Sequence, residues 1–478
     1  MSEVRDERQG GDLMNASMTP TKTPGGGHSG PPKSGLEKLA AVGDGVQTEL
    51  GCFPADWRVD RFDSVFDVQQ GRQVSKGNRV GDNQRPFLRT KNVFWNRLDL
   101  ADLDEMHFSE ADEKRLALKP DDLLICEGGD IGRTAIWRGA NSRCYYQNHL
   151  HRARIRYPKT ADAQFVLFWL WYAFEFGHLY FGRGNVTTIP NLSQSKLREL
   201  PVAIPPLAEQ RTIAAVLGLV QRAIEKQERL IALTTELKKA LLHQLFTQGL
   251  RGEPQKQTEI GLVPESWTLR TCEDLCTMIT VGVVVKPASH YVDNGVPAFR
   301  STNVREDRLE MAELVYFSQK TNDTILAKSK LRTGDVLIVR TGYPGTSCVV
   351  PEEHNGANCI DLVIARPLPK VMQSGFLSRF FNSDAGKRQA VSAKHGLAQQ
   401  HLNVGAVKRT LIPVPPLYEQ REIDNALATI EQKLSLHVSK HAALTALFRT
   451  LLHQLMTAEI RVHTFGSLFE HSYVSLRT

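Results

Sequence analysis

The sequence predicts an α+β chain built by internal duplication: two tandem α/β domains separated by two long helices, the helices pairing as an antiparallel coiled coil about a pseudo-twofold axis. Three observations predict it. First, motifs recur in one order at a near-constant offset. Glu49-Leu50-Gly51-Cys52-Phe53-Pro54-Ala55-Asp56-Trp57 is answered by Glu259-Ile260-Gly261-Leu262-Val263-Pro264-Glu265-Ser266-Trp267, and 267 − 57 gives an offset of 210. Pro205-Pro206-Leu207-Ala208-Glu209-Gln210-Arg211 returns as Pro415-Pro416-Leu417-Tyr418-Glu419-Gln420-Arg421, and Leu241-Leu242-His243-Gln244-Leu245 as Leu451-Leu452-His453-Gln454-Leu455. A period this long excludes a solenoid and marks a duplicated two-part unit. Second, each Pro-Pro-Leu motif opens a stretch with apolar residues stepping by three and four. Third, the regions between carry alternating and β-branched runs bounded by turns.

Taken in order, residues 1–48 hold Gly25-Gly26-Gly27 and Pro31-Pro32 without an apolar core, as expected of a disordered leader rather than a signal peptide. Residues 49–205 form the first domain. Leu123-Leu124-Ile125-Cys126 leaves a turn as a strand, Leu150 to Tyr157 alternates, and Phe165 to Tyr180 reads as an aromatic-rich amphipathic helix. Residues 206–250 form the central helix. Pro206 suits the first turn, where no N–H is needed, and Glu209 complements the helix dipole. Ile213, Leu217, Val220, Ile224, Gln227 and Ile231 make the seam, continued after a phase shift by Leu230, Thr234, Leu237 and Leu241.

Residues 251–415 repeat the domain, with Val336-Leu337-Ile338-Val339 as the matching strand and a more polar helix from Phe376 to about Val391. Residues 416–460 repeat the helix through Ile423, Leu427, Ile430, Leu434, His437, His441, Leu444, Leu447, Leu451 and Leu455, and residues 461–478 form a tail. Forty helical residues make a rod of about 60 Å. The short link favours antiparallel pairing, with the polar seam residues setting register.

Composition excludes other classes. The chain of 478 residues is 41% hydrophobic and 23% charged, with net charge +7. That is a soluble globular protein with enough positive charge to permit, not demand, a polyanionic partner. Seven cysteines without a CxxC pair read as free cytosolic thiols. The longest apolar run, Phe165 to Phe174, is too short for a membrane span, so the expected location is the cytoplasm. No phosphate loop, amino-methyltransferase motif or nuclease carboxylate set is present. Asp104-Glu105-Met106-His107 reads as a solvated acidic turn, and Gly128-Gly129-Asp130-Ile131-Gly132 with Gly342-Tyr343-Pro344-Gly345 as a shared β-turn. The chain is expected to bind rather than catalyse, with no metal site.

Candidate polyanion contacts follow from basic and amide chemistry on polar loops. In the first domain they are Arg89, Thr90, Lys91, Asn92, Arg133, Asn185, Thr187 and Thr188. In the second they are Arg300, Ser301, Thr302, Asn303, Arg340, Gln399 and Gln400, the glutamines able to read adenine edges. Arg72, Lys76, Arg79 and Arg85 belong to the same basic concentration. Arg152, Arg154 and Arg156 alternate on one strand face, a crowding that requires solvent or an anion.

Pro-Pro-Leu-x-Glu-Gln-Arg at the head of a long helix, twice, each time after a variable region, resembles the specificity subunit of type I restriction–modification systems from about Glu49 to Ile460. The resemblance implies that each variable region is a target recognition domain reading one half of a bipartite DNA sequence. It implies a helical spacer docking two modification subunits that bind S-adenosylmethionine and methylate adenine, with restriction subunits using ATP and Mg. It implies no cofactor in this chain itself. Pro206, Glu209, Gln210 and Arg211, with Pro416, Glu419, Gln420 and Arg421, match the helix heads and are expected to tie domain to helix. The alternatives are a specificity subunit of a solitary methylation system lacking a motor-nuclease, a nuclease with an unfamiliar site, or a coiled-coil scaffold without DNA affinity.

Overall fold

The computed structural model describes residues 45–139, 143–157, 159–180, 191–392 and 401–462. Most of the expected leader and tail lies outside them, as do Asn185, Thr187, Thr188, Gln399 and Gln400.

The first domain has a four-stranded antiparallel sheet of β1 (Phe66–Gln70), β2 (Leu123–Cys126), β3 (Thr134–Ile136) and β4 (Leu150–Ile155), ordered β3-β2-β4-β1. Apolar side chains leave both faces of β2. Leu123 and Ile125 enter one core with the helix α1 (Ala163–Trp171), while Leu124 and Cys126 enter another with Phe87, Phe108 and Trp137. A sheet covered on both sides explains β2's unbroken apolar run. Asp162 caps α1, its carboxylate accepting from the Phe165 N–H at 2.9 Å. Residues 165–170 are all buried, so α1 is apolar all round rather than amphipathic, and it gives way to a π turn at Tyr172–Phe176. Asp104–His107, expected as a solvated turn, is a strand pairing antiparallel with Gln84–Leu88.

Next comes the central helix α2 (Leu207–Gln248). The second domain repeats the sheet as β5 (Cys276–Val281), β6 (Val336–Val339), β7 (Ser347–Val349) and β8 (Leu362–Pro367), ordered β5-β8-β6-β7. Its helix α3 (Ser374–Asn382) is followed after Ser383 by a separate helix Asp384–Ser392, where one helix was expected. The last long helix is α4 (Leu417–Met456).

α2 and α4 run antiparallel. Gln227 Oε1 lies 2.9 Å from His437 Nδ1 and, eleven residues on, Lys238 donates to Glu431 at 2.6 Å, so numbers rise along one helix as they fall along the other. Of the polar seam residues, Gln227 and His437 meet each other, while His441 Nε2 lies 3.3 Å from Glu228 Oε1. Ile213 and Leu217 share a core with Phe448, Leu452 and Leu455, and Leu245 and Phe246 share the other with Ile423 and Leu427. Each end of the rod is thus wedged into one domain. Two seam positions are corrected: Leu237 and Leu447 are 56% and 45% exposed, and the inward positions are the next residues, Lys238 and Phe448. A straight helix of 3.6 residues per turn drifts from a 3.5 repeat, which moves the inward position by one residue.

Candidate nucleic-acid interface

In each domain one end of the four-stranded sheet gathers the loops. Gln70 pairs with His151 and Cys126 with Leu150, so the segments 71–80, 127–133 and 148–149 leave from one end. His151 Nε2 donates to the Leu192 carbonyl at 2.8 Å, and Leu192 N–H donates to the Glu127 carbonyl, which brings Leu192 to the same place. Burial lowers the pKa of His151 and so favours the neutral ring, whose Nε2 donor tautomer holds Leu192. In the second domain Val281 and Val339 flank Val363 and Leu362, and Leu402 N–H donates to Arg340. The segments 282–286 and 340–346 and Leu402 therefore meet at the matching end.

The turns themselves are the shared β-turns the sequence predicted. Gly129 and Gly132 have φ of +77° and +81°, Gly342 and Gly345 of +83° and +89°, a region that glycine occupies without strain. A Cβ at Gly132 would lie 2.3 Å from Phe174, so that turn also needs the close approach.

These ends carry side chains free for a partner. Lys76 and Arg79 are exposed and have no side-chain partner among the described residues, and Lys286 shares that state. Tyr343, at the tip of the second domain's turn, is 83% exposed. An open cavity of about 720 Å³ beside it is lined by Ser301, Thr302, Arg305, Thr341 and Lys387. In the first domain Arg133 donates to the Thr90 carbonyl at 2.8 Å and lies over the Phe94 ring at 5.2 Å, filling the corresponding space. Ser301 and Thr302 are thus brought to the loop end, and so are Thr90 and Lys91 beside Arg133.

Several predicted contacts are corrected. Asn92 and Asn303 are 1% and 0% exposed. Asn92 Oδ1 accepts the Arg89 N–H at 2.9 Å and its amide donates to the Asp102 carbonyl. Asn303 does the same for Arg300 and donates to the carbonyls of Glu310 and Ala312. Both hold turns and face away from any groove. Arg152, 4% exposed, pairs with Asp67, and Arg154 grips Asp122 with two bonds of 2.7 and 2.6 Å. Arg156 donates to the Asp63 and Phe66 carbonyls. The arginine face needs no outside anion, because internal carboxylates and carbonyls meet it; a buried cation stripped of water requires such a partner. Arg366 and Asp335 repeat the grip in the second domain at 2.7 Å twice. Arg340 pairs with Asp361 and donates to the Leu402 carbonyl, so it is spent inside the fold. Arg89 and Lys91 are tethered to Asp104 at 2.7 and 3.2 Å, and Arg300 to the Glu313 carbonyl. The signal that could have separated these is the acidic residue each arginine meets, which lies far off in sequence.

The helix heads join the domains to the rod. Gln210 donates to the Pro205 carbonyl and accepts from the Asp162 N–H, both at 2.8 Å. Gln420 donates to Pro415 and Val371 and accepts from Gln373. Glu209 accepts from Trp57 at 3.2 Å and from Arg461, which follows α4, at 2.6 and 2.7 Å. Glu419 accepts from the Leu250 N–H, which follows α2, at 3.4 Å. Each glutamate thereby receives the tail of the opposite helix. Arg211 and Arg421 are exposed and stand apart from this joint.

A family model for the type I restriction modification DNA specificity domain matches residues 54–235 and again 264–446. The chain is 22% identical over 438 residues to a putative type I restriction enzyme MjaX specificity subunit of Methanocaldococcus jannaschii, covering 87% of this chain and 97% of that one. It is 24% identical over 325 residues to the EcoBI specificity subunit of Escherichia coli, covering 64% and 65%. Its fold is similar to that of a crystallised type I restriction–modification S subunit from M. genitalium, with TM-score 0.53, 16% identity, and 84% and 96% of the chains covered.

Proposed function

Because the chain belongs to the type I restriction–modification DNA specificity family, whose model matches it twice, we propose that it reads a split DNA target with one domain per half-site. Sequence-specific DNA recognition within a type I restriction–modification complex is its function. The finer reading rests on one observation. Two equivalent loop clusters, built on the same sheet end but tipped with different side chains, are seated at opposite ends of one antiparallel helix pair. Equivalent frames with different tips suit two different half-sites, and the rod separates them by a fixed distance.

In this reading the free cations Lys76, Arg79 and Lys286 meet phosphates, which position without specifying, and Tyr343 approaches base edges. The chain itself neither methylates nor cuts. S-adenosylmethionine belongs to two partner methylation subunits, ATP and Mg to partner restriction subunits, all docked along the helices in the cytoplasm. Burial pushes the Cys126 and Cys144 thiols up to about 11 and 12, so neither is a reactive thiolate. No described helix is long and apolar enough to cross a membrane.

The test is methylome sequencing of a host with and without this gene. The expected result is loss of adenine methylation at one bipartite motif. An unchanged methylome, or loss at a continuous motif, overturns the split-target reading.

A further inference from the structure

The two joints between domain and rod are built from different chemistry at matching positions. In the first, Phe448 of α4 sits against Phe168 and Trp171 of α1, with ring centroids 6.0 and 5.1 Å apart, and Trp171 stacks on Trp95 at 5.3 Å. The hairpin tip Asn96 donates to Gln221 of α2 at 2.7 Å. Adding or subtracting the repeat offset turns these residues into charges: Lys238 for Phe448 (448 − 210), Glu431 for Gln221 (221 + 210), Arg379 for Phe168 and Asp307 for Asn96 (each + 211). Both hairpin tips keep the same backbone, with φ of +56° at Asn96 and +62° at Asp307.

In the second joint these charges form one knot. Arg379 donates to Asp424 at 2.6 Å and to Glu431 at 3.2 Å, with its remaining nitrogen 3.4 Å from Asp307. Lys238 donates to Asp307 at 3.1 Å and to Glu431 at 2.6 Å, and Asn382 donates to Asp307 at 2.9 Å. The side chains of Arg379 and Asp307 are each 7% exposed. Arg379 thus spans a hairpin of the domain and α4 of the rod, while Lys238 ties the same hairpin to α2.

We propose that this knot positions the second recognition domain on the helix pair, with Arg379 as the positioning residue that sets the distance and angle of the second half-site from the first. At these matched positions the contact is ionic at one end of the rod and aromatic at the other, and the ionic one sits beside the packing of Phe246 on Phe376 and Phe380 at 5.0 and 5.8 Å. Three carboxylates face two cations, with Arg305, Glu306 and Arg308 on the rim of the adjoining groove. Burial would raise the Asp307 carboxyl, but Arg379 and Lys238 carry it below the usual range. Burial, together with Asp307, pushes Glu431 up to about 7. Below that pH Glu431 holds a proton and the knot is neutral. Above it, one negative charge is in surplus and the seat slackens, so the dependence runs downward with rising pH.

The seat is tested without DNA by hydrogen exchange of the full chain at pH 6 and pH 8, corrected for intrinsic exchange. Hairpin 304–309 is expected to lose about tenfold in protection, the equivalent of one pKa unit of coupling, while hairpin 93–98 holds. Glu431→Gln abolishes the step and keeps the protection. Arg379→Met loses it at both pH values in the second domain alone, and Arg379→Lys, a point charge unable to span three carboxylates, restores it in part. A pH step that survives Glu431→Gln, or an equal step in hairpin 93–98, overturns the proposal, and this arm stands even where Arg379→Met fails to fold. The inference rests on the split-target reading only for its consequence: a host carrying Arg379→Met should methylate the same half-sites at spacings shifted by a base pair. If the protection pattern holds but no bipartite motif exists, the seat stands and the split-target reading falls. If spacing stays strict in a folded Arg379→Met chain, the positioning role falls.

Discussion

Replacing Gln420 by alanine should unseat the second helix head. The Gln420 side chain is fully buried and makes three hydrogen bonds, to the carbonyls of Pro415 at 2.9 Å and Val371 at 3.0 Å and from the Gln373 N–H at 2.9 Å. At about 1 kcal/mol each, their loss costs about 3 kcal/mol, and the backbone groups left dry add to it. For a domain of this size that lowers the unfolding midpoint of the second half by about 6–12 °C. Gln210→Ala, with two such bonds, should cost about 2 kcal/mol in the first half. Arg421→Ala and Arg211→Ala, both exposed, should stay within about 0.5 kcal/mol. Scanning calorimetry of the four variants reads this directly. A loss below about 1 kcal/mol for Gln420→Ala, or a larger loss at Arg421 than at Gln420, would refute the view that the motif is an internal clasp.

Exchanging residues 50–200 for those of another family member should change one half of the methylated motif, and a change in both halves would refute the two-module reading. Inserting seven residues after Lys226, matched by seven after Ala443 on the facing helix, should lengthen the gap between half-sites while leaving their sequences intact. The rod grows by about 10 Å, and unchanged spacing with full methylation would sink the spacer role. Lowering the pH should destabilise the first half more than the second. His151 is buried with a lowered pKa, so the unfolded chain takes up a proton first, and stability present above about pH 6.5 is lost as pH falls toward the folded value. Its equivalent is Val363, which pairs with Ile338 as His151 pairs with Ile125. His151→Val should therefore flatten the pH dependence of the first midpoint, and a slope that persists would show that another group carries it.

The sequence made the duplication, the two rods and their antiparallel sense legible, because periodic apolar residues and proline-headed helices are local signals. It also placed the glycine turns, whose positive φ is a property of the residue itself. It misjudged the arginines. Arg152 and Arg154 looked like an exposed basic face because Asp67 and Asp122, which neutralise them, lie 85 and 32 residues away. Asn92 and Asn303 carried the right chemistry for a base edge, yet each spends it on its own turn. The seam slipped at Leu237 and Leu447 because a 3.5-residue count drifts from a helix of 3.6 residues per turn.

What the sequence alone determined, then, is a twofold repeat of domain and helix, since burial of an apolar stripe repeated every three or four residues admits few other solutions. What only the tertiary structure decided is which charges remain for a partner. Coulomb pairing depends on distance in space, and the fold alone sets which carboxylate each arginine meets. The same holds for the joints: positions matched by the repeat become an aromatic seat at one end and an ionic knot at the other, where Asp307, Arg379 and Glu431 converge from three separate segments.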